Sequence, residues 1–196
     1  MFKKRWEEII KEGDLAPDFE LLDQNGEKHT LKKYKGKKLV IYFYPKDDTP
    51  GCTAEACSIR DNYSVFKKEG IVVLGISADK QISHKKFSEK YSLPFPILSD
   101  PSHEVLSKYG VWMRKNLFGQ VMMGIARVTY IINEEGRIVK IFNKVTPSEH
   151  AAEIFEVLNV KNGKNGKDAK VAELKSTGDR INKTQTKKTK VTKAKK

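Results

Sequence analysis

Apolar residues fall along this chain in two rhythms. Lys38-Leu39-Val40-Ile41-Tyr42-Phe43-Tyr44 is a nearly unbroken apolar run of strand length, rich in β-branched and aromatic side chains. It predicts a central strand buried on both faces. From Thr49 to Lys68 the rhythm becomes helical, through Ala56, Ile59, Tyr63 and Phe66, and predicts one helix closed by Gly70. Ile71-Val72-Val73-Leu74-Gly75-Ile76-Ser77 is a second buried strand, so the three elements form a strand-helix-strand unit with parallel strands and a right-handed crossover.

Shorter patterns fill in the rest. Phe19-Glu20-Leu21-Leu22 and Lys28-His29-Thr30-Leu31 read as two strands around Asn25-Gly26, whose positive backbone angles suit a tight hairpin. Helices are expected over 83–91 and 102–109. Val128-Thr129-Tyr130-Ile131-Ile132 and Arg137-Ile138-Val139-Lys140-Ile141-Phe142 flank Asn133-Glu134-Glu135-Gly136 as an antiparallel hairpin. Thr146-Pro147-Ser148-Glu149 reads as the start of a last helix, with Thr146 as N-cap, Pro147 at the first position and Glu149 closing a capping box. Ala151, Ile154, Phe155 and Leu158 are its apolar face. The resulting class is α/β, with a mixed sheet layered between helices.

Past Val160 both rhythms stop. Residues 161–196 contain no aromatic residue and seven apolar ones among 36, too few to offset chain entropy, so a disordered lysine-rich tail is expected after a single domain over 1–160. Charge divides at the same place: of the net +13, the tail supplies +10 from 13 Lys and Arg against three acids. Such a segment resembles the Lys/Ala/Thr-rich tails of nucleic-acid-associated proteins and is expected to bind polyanions loosely, a solvated tail being the alternative. No run approaches the roughly 18 apolar residues of a membrane span. Acidic residues interrupt the apolar part of the basic amino-terminal segment, which argues against a signal peptide. The expected compartment is the cytoplasm, with a nucleoid or nuclear location left open by the tail.

The two cysteines sit where strand gives way to helix, in Thr49-Pro50-Gly51-Cys52-Thr53-Ala54-Glu55-Ala56-Cys57. With Thr49 as N-cap and Pro50 first, Cys52 occupies the first helical turn. Unpaired N–H groups and the positive end of the helix dipole favour an anion there, and a thiolate is the reactive form of cysteine. Gly51 keeps the approach open, and the Thr49 hydroxyl can both donate and accept toward the thiolate and an incoming peroxide. Cys57 lies five residues on. In an intact helix that spacing separates the Cα atoms by roughly 8 to 9 Å, beyond the roughly 7 Å a disulfide spans. Pairing therefore requires at least a turn of helix to unwind. Two small buried cysteines remain the bland alternative. A metal site finds little support, because two cysteines and the scattered His29, His84, His103 and His150 do not make a ligand set.

Tyr44-Pro45-Lys46-Asp47-Asp48-Thr49-Pro50-Gly51-Cys52, with Cys57 behind it, closely resembles the active-site segment of the peroxiredoxins, in the subgroup called bacterioferritin comigratory protein or peroxiredoxin Q. Pro45, Thr49 and Cys52 fill the family pattern Pro-x-x-x-Thr-x-x-Cys without a gap. The resemblance runs over roughly residues 12 to 158, through Gly13-Asp14-Leu15-Ala16-Pro17-Asp18-Phe19, Leu74-Gly75-Ile76-Ser77, Leu98-Ser99-Asp100 and Tyr109-Gly110-Val111-Trp112. It implies a thioredoxin-like fold and a thiol peroxidase without a bound cofactor, acting on hydrogen peroxide and organic hydroperoxides. By the same resemblance Cys52 is the peroxidatic and Cys57 the resolving cysteine, Pro45 shields the site, and Arg127 holds the thiolate and polarises the peroxide. Thioredoxin or a similar dithiol is the implied reductant, and members are often monomeric. Other readings stay open: a peroxide-sensing relay, and a thiol-disulfide exchanger, which would want a shorter Cys-x-x-Cys spacing.

Overall fold

The structure, a computed structural model, describes residues 10–117 and 120–160; the expected tail over 161–196 lies outside them. Its centre is β3 (Leu39–Phe43), buried at all five positions. Strand alternation sends Leu39, Ile41 and Phe43 into one apolar cluster and Val40, Tyr42 and the following Tyr44 into another on the opposite face. β4 (Val72–Ser77) pairs with β3 in parallel and β8 (Val128–Ile132) in antiparallel orientation. Beyond β4 lie β5 (Ile97–Ser99), β1 (Glu20–Asp23) and β2 (Lys28–Thr30), and beyond β8 lies β9 (Ile138–Phe142), in the order β2-β1-β5-β4-β3-β8-β9.

Helices α1 (Pro50–Asp61), α2 (Tyr63–Lys68), α3 (Gln81–Tyr91) and α5 (His150–Val157) cover one face through Ala56, Ile59, Phe66, Phe87, Ile154 and Phe155. α4 (Glu104–Lys108) covers the other through Val105 and Leu106. The expected mixed sheet between helices, thioredoxin-like in kind, is therefore present. The sequence patterns missed β5 and a separate hairpin of β6 (Trp112–Leu117) and β7 (Gln120–Ile125). Among the described residues no helix is long and apolar enough to cross a membrane.

Four local expectations need correction. The single helix over 49–68 is two helices, broken at Asn62 (φ −107°, ψ 8°). Its side-chain amide donates to the Ser58 carbonyl at 2.9 Å, so it competes with the helical ladder. The last helix starts at His150, not Thr146: residues 146–149 form a turn closed by Glu149 N–H to Thr146 O at 2.8 Å. Glu153, one turn further on, takes the Thr146 N–H at 3.1 Å, which removes the need for a Glu149 capping box. In the first hairpin Gly26 has a positive φ of 82° but Asn25 does not. The Asp23 carboxylate accepts N–H groups of Asn25 and Glu27 at 2.8 and 2.9 Å and builds a wider turn. α3 begins at Gln81 instead of Ser83, because the Ser83 hydroxyl donates to Asp47 and caps nothing.

Candidate active site

The chain leaves β3 through a loop tied to both ends of α3. Tyr44 Oη donates to Asp47 Oδ1 at 2.7 Å, Ser83 Oγ donates to Asp47 Oδ2 at 2.7 Å, and His84 Nδ1 lies 2.9 Å from the same oxygen. Burial pushes the Asp47 carboxyl up, but His84, Ser83 and Tyr44 together hold it below its usual range. Asp48 adopts a left-handed φ of 57°, a strain of about 1 kcal/mol for a non-glycine residue. Its carboxylate accepts from Lys90 Nζ at 2.6 Å and Tyr91 Oη at 2.6 Å, which fixes that conformation against the end of α3.

From this clamped loop α1 starts as the sequence predicts, with Thr49 at the N-cap (φ −92°, ψ 149°) and Pro50 in the first turn. The Thr49 side chain makes no capping bond and none to the thiol. It donates to Lys46 O at 3.0 Å, which leaves its lone pairs as acceptors. Pro45 is exposed at the strand exit. Cys52 is 1% exposed, on the helix face that turns inward.

Arg127 reaches this thiol from the residue just before β8. Its Nη2 donates to Cys52 Sγ at 3.1 Å, and its Nη1 donates to Glu55 Oε2. Gly51 makes room for the guanidinium: a Cβ there would stand 3.3 Å from Nη2. Burial works against the charge of Arg127, but Glu55 and Cys52 more than offset it and raise its pKa. Glu55 fares differently because it is wholly buried while Arg127 keeps some exposure. Burial raises the Glu55 carboxyl to about 7 despite Arg127, and its Oε1 has no hydrogen-bond partner. The nearest base, His150 Nε2 at 3.9 Å, is already engaged by Thr129 Oγ1 at 2.8 Å. Burial lowers the pKa of His150 in spite of Glu153, whose Oε2 lies 2.8 Å from Nδ1, so the ring serves as a neutral bridge between β8 and α5.

Cys57 is half-buried further along α1, and both cysteines are free. They share one uninterrupted helix, so the geometric separation expected from their spacing applies. Two partners escaped the sequence reading. Glu55 had a signal, since positions 52, 55, 56 and 59 share one helical face and Glu55 is the charged member of an otherwise apolar set. For His150 the chain shows only its neighbour Glu153, since its other partners, Thr129 and Glu55, are distant in sequence. Nor is His29 isolated: it lies with Asp23 and Glu27 in a cluster whose ligand-type atoms fall within 4.8 Å of one another. Asp23 there serves the hairpin turn and Glu27 bridges Lys33.

A buried thiol at a helix start, held by an arginine at the head of a strand on a mixed sheet of thioredoxin type, fits the class of cysteine-based peroxidases. The AhpC/TSA family model matches residues 13–141, and the chain belongs to that family. It is 46% identical to peroxiredoxin Bcp of Bacillus subtilis (strain 168) over 147 residues, 75% of this chain and 94% of that one. It is 44% identical to peroxiredoxin Bcp of Escherichia coli (strain K12) over 141 residues, 72% and 90% of the two chains. The bacterioferritin comigratory protein of Xanthomonas campestris superposes with a TM-score of 0.71 at 34% identity, covering 77% of this chain and 96% of that one. Peroxiredoxin Q of Xylella fastidiosa, in a cysteine-to-serine variant, gives 0.72 at 30% identity, over 76% and 96%. The chain is accordingly a thiol-dependent peroxidase, acting on peroxides at the expense of a thiol reductant.

Proposed function

We propose that Cys52 is the peroxidatic residue and that its thiolate attacks the terminal oxygen of hydrogen peroxide or an organic hydroperoxide. The sulfur–oxygen bond forms as the O–O bond breaks, and the departing oxygen takes a proton and leaves as water or alcohol, with Cys52 as the sulfenic acid. Arg127 holds the thiolate and meets negative charge on the breaking bond, Thr49 accepts a hydrogen bond from the peroxide, and Pro45 shields the site. The observation that carries this reading is the 3.1 Å bond from Arg127 to the buried Cys52 sulfur. The alkyl peroxide reduction credited to the Xanthomonas campestris relative supports organic hydroperoxides as substrates.

Cys57 then attacks the Cys52 sulfur, water leaves, and a disulfide forms within one chain, so the cycle needs no partner subunit and is complete in a monomer. An external dithiol supplies two electrons to restore both thiols, and thioredoxin is the reductant we propose. Cys52→Ser is expected to abolish peroxide turnover; turnover near the parent rate would overturn the assignment. The +10 segment 161–196 adds loose, salt-sensitive binding to nucleic acid. Full-length protein should retard DNA at low salt, and a chain ending at Val160 should not, with peroxidase activity unchanged; equal retardation by both would remove the tail from the account.

A further inference from the structure

The stretch that must unwind before the two cysteines can meet is short, and little holds it closed. Between Cys52 and Cys57, α1 buries Glu55 and Ala56 and leaves Thr53 and Ala54 half-buried. Ala56 exposes one methyl group when the turn opens, a small hold on the helix. Glu55 is the larger buried side chain and the charged one. Its side chain is 0% exposed; Oε2 accepts from Arg127 Nη1, but Oε1 has no hydrogen-bond partner. Titratable and charged groups face it from every element around it: Arg127 at the head of β8, His150 and Glu153 on α5, Tyr42 on β3 and Cys52 on α1 itself. None supplies the missing bond. His150 Nε2, 3.9 Å from Oε1, is engaged by Thr129, and Glu153 is a like charge. A carboxylate with one oxygen stranded in the interior is costly when ionised and far less so when protonated. Once the turn unwinds, the same group meets water and ionises freely.

We propose that Glu55 times the resolving step: the ionised carboxylate favours unwinding of α1 and so delivers Cys57 to the Cys52 sulfenic acid, whereas the protonated carboxyl keeps the helix closed. The inference rests on the peroxidase reading of Cys52 and on Cys57 as its resolving partner. The chemistry of the step is unaltered: the Cys57 sulfur bonds to the Cys52 sulfur, and the sulfenic hydroxyl leaves with the thiol proton as water. Glu55 sets how long the sulfenic acid waits. A sulfenic acid that waits meets a second hydroperoxide, which transfers one oxygen to the sulfur, gives the sulfinic acid and departs as water or alcohol.

The test compares full-length reduced parent with Glu55→Gln, which stays neutral at every pH, and Glu55→Asp, which keeps a carboxylate. Each receives one equivalent of hydrogen peroxide between pH 5 and 8, and samples quenched in acid are read by mass. Sulfenic acid carries one added oxygen and the disulfide lacks two hydrogens, so the resolving rate is read apart from the peroxide step. Ionisation of Cys57 quickens resolution with pH in all three proteins, so the readout is the ratio of parent to variant rate. For Glu55→Gln that ratio should rise by about tenfold or more from pH 5 to pH 8, as a carboxyl at about 7 in the closed helix and 4.5 in the open one requires. Glu55→Asp should follow the parent's pH dependence. With peroxide in excess at pH 8, Glu55→Gln should accumulate several-fold more sulfinic acid at Cys52 than the parent, and urea unfolding checks that both variants fold. A ratio that is flat across pH would overturn the proposal, as would aspartate behaving like glutamine. Cys52→Ser runs alongside: peroxide turnover there would retract the peroxidase reading itself. A parent that forms no link between Cys52 and Cys57 would retract the resolving role and this inference with it, whereas normal sulfenic acid and disulfide formation with a flat ratio retracts this inference alone.

Discussion

Glu55→Gln removes a charge from the centre of α1 while keeping the side chain's size. In the folded protein the Glu55 carboxyl is raised from the ordinary 4.5 to about 7, with burial outweighing Arg127. Below about 4.5 the group is protonated whether the chain is folded or not, and its titration has no effect on stability. Between 4.5 and 7 the folded state keeps a proton that the unfolded state releases, so stability falls as pH rises, by about 1.4 kcal/mol per unit. Above 7 both states are ionised and the penalty stays at about 3 kcal/mol. Glutamine does not titrate. Urea unfolding of the reduced proteins, followed by tryptophan fluorescence at pH 4.5 and pH 8, should show the variant gaining about 3 kcal/mol on the parent between the two conditions. Contributions from all other groups are common to both proteins and cancel in the difference. A gap of the same size at both pH values would refute the claim that burial outweighs Arg127 and raises the Glu55 carboxyl. The result bears on mechanism, because Glu55 lies between Cys52 and Cys57 and must leave its buried place when the helix opens.

Arg127→Met should slow peroxide reduction by about a hundredfold or more, the usual cost of losing a preorganised donor. It should also destabilise by about 3 kcal/mol through the stranded Glu55, so adding Glu55→Gln should restore stability in urea but not rate. Gly51→Ala places a Cβ 3.3 Å from Arg127 Nη2, so the guanidinium must shift by a few tenths of an ångström; a several-fold loss of rate with stability unchanged or about 0.5 kcal/mol higher is expected, and an unchanged rate would mean that the guanidinium has slack. Cys57→Ser should reduce one equivalent of peroxide and then stall with thioredoxin, whereas sustained turnover would identify another resolving thiol.

Much of the fold was readable because β3, β4 and the hairpin of β8 and β9 carry continuous apolar runs, whose burial leaves few alternatives. Boundaries failed where a polar side chain chose a partner that local pattern does not reveal. Asn62 turned its amide to Ser58, Ser83 gave its hydroxyl to Asp47, and Glu153 took the N–H that a capping box would have served. β6 and β7 were missed because Arg114, Lys115 and Gly124 interrupt any alternation. At the site the line from Cys52 to Arg127 followed from helix-start chemistry and family resemblance together. The supporting groups did not, since His150 meets Thr129, and Glu55 meets Arg127, through folding that brings separate elements together.

The central claim is that Cys52 and Cys57 cannot join while α1 is intact. Amide hydrogen exchange read by mass on the peptide spanning Pro50–Asp61, before and after one equivalent of hydrogen peroxide, tests it directly. The oxidised peptide should be lighter by a pair of hydrogens, with both cysteines linked within one chain, and its amides should exchange far faster than in the reduced protein. A linked peptide as protected as the reduced one, or a disulfide joining two chains, would contradict the account.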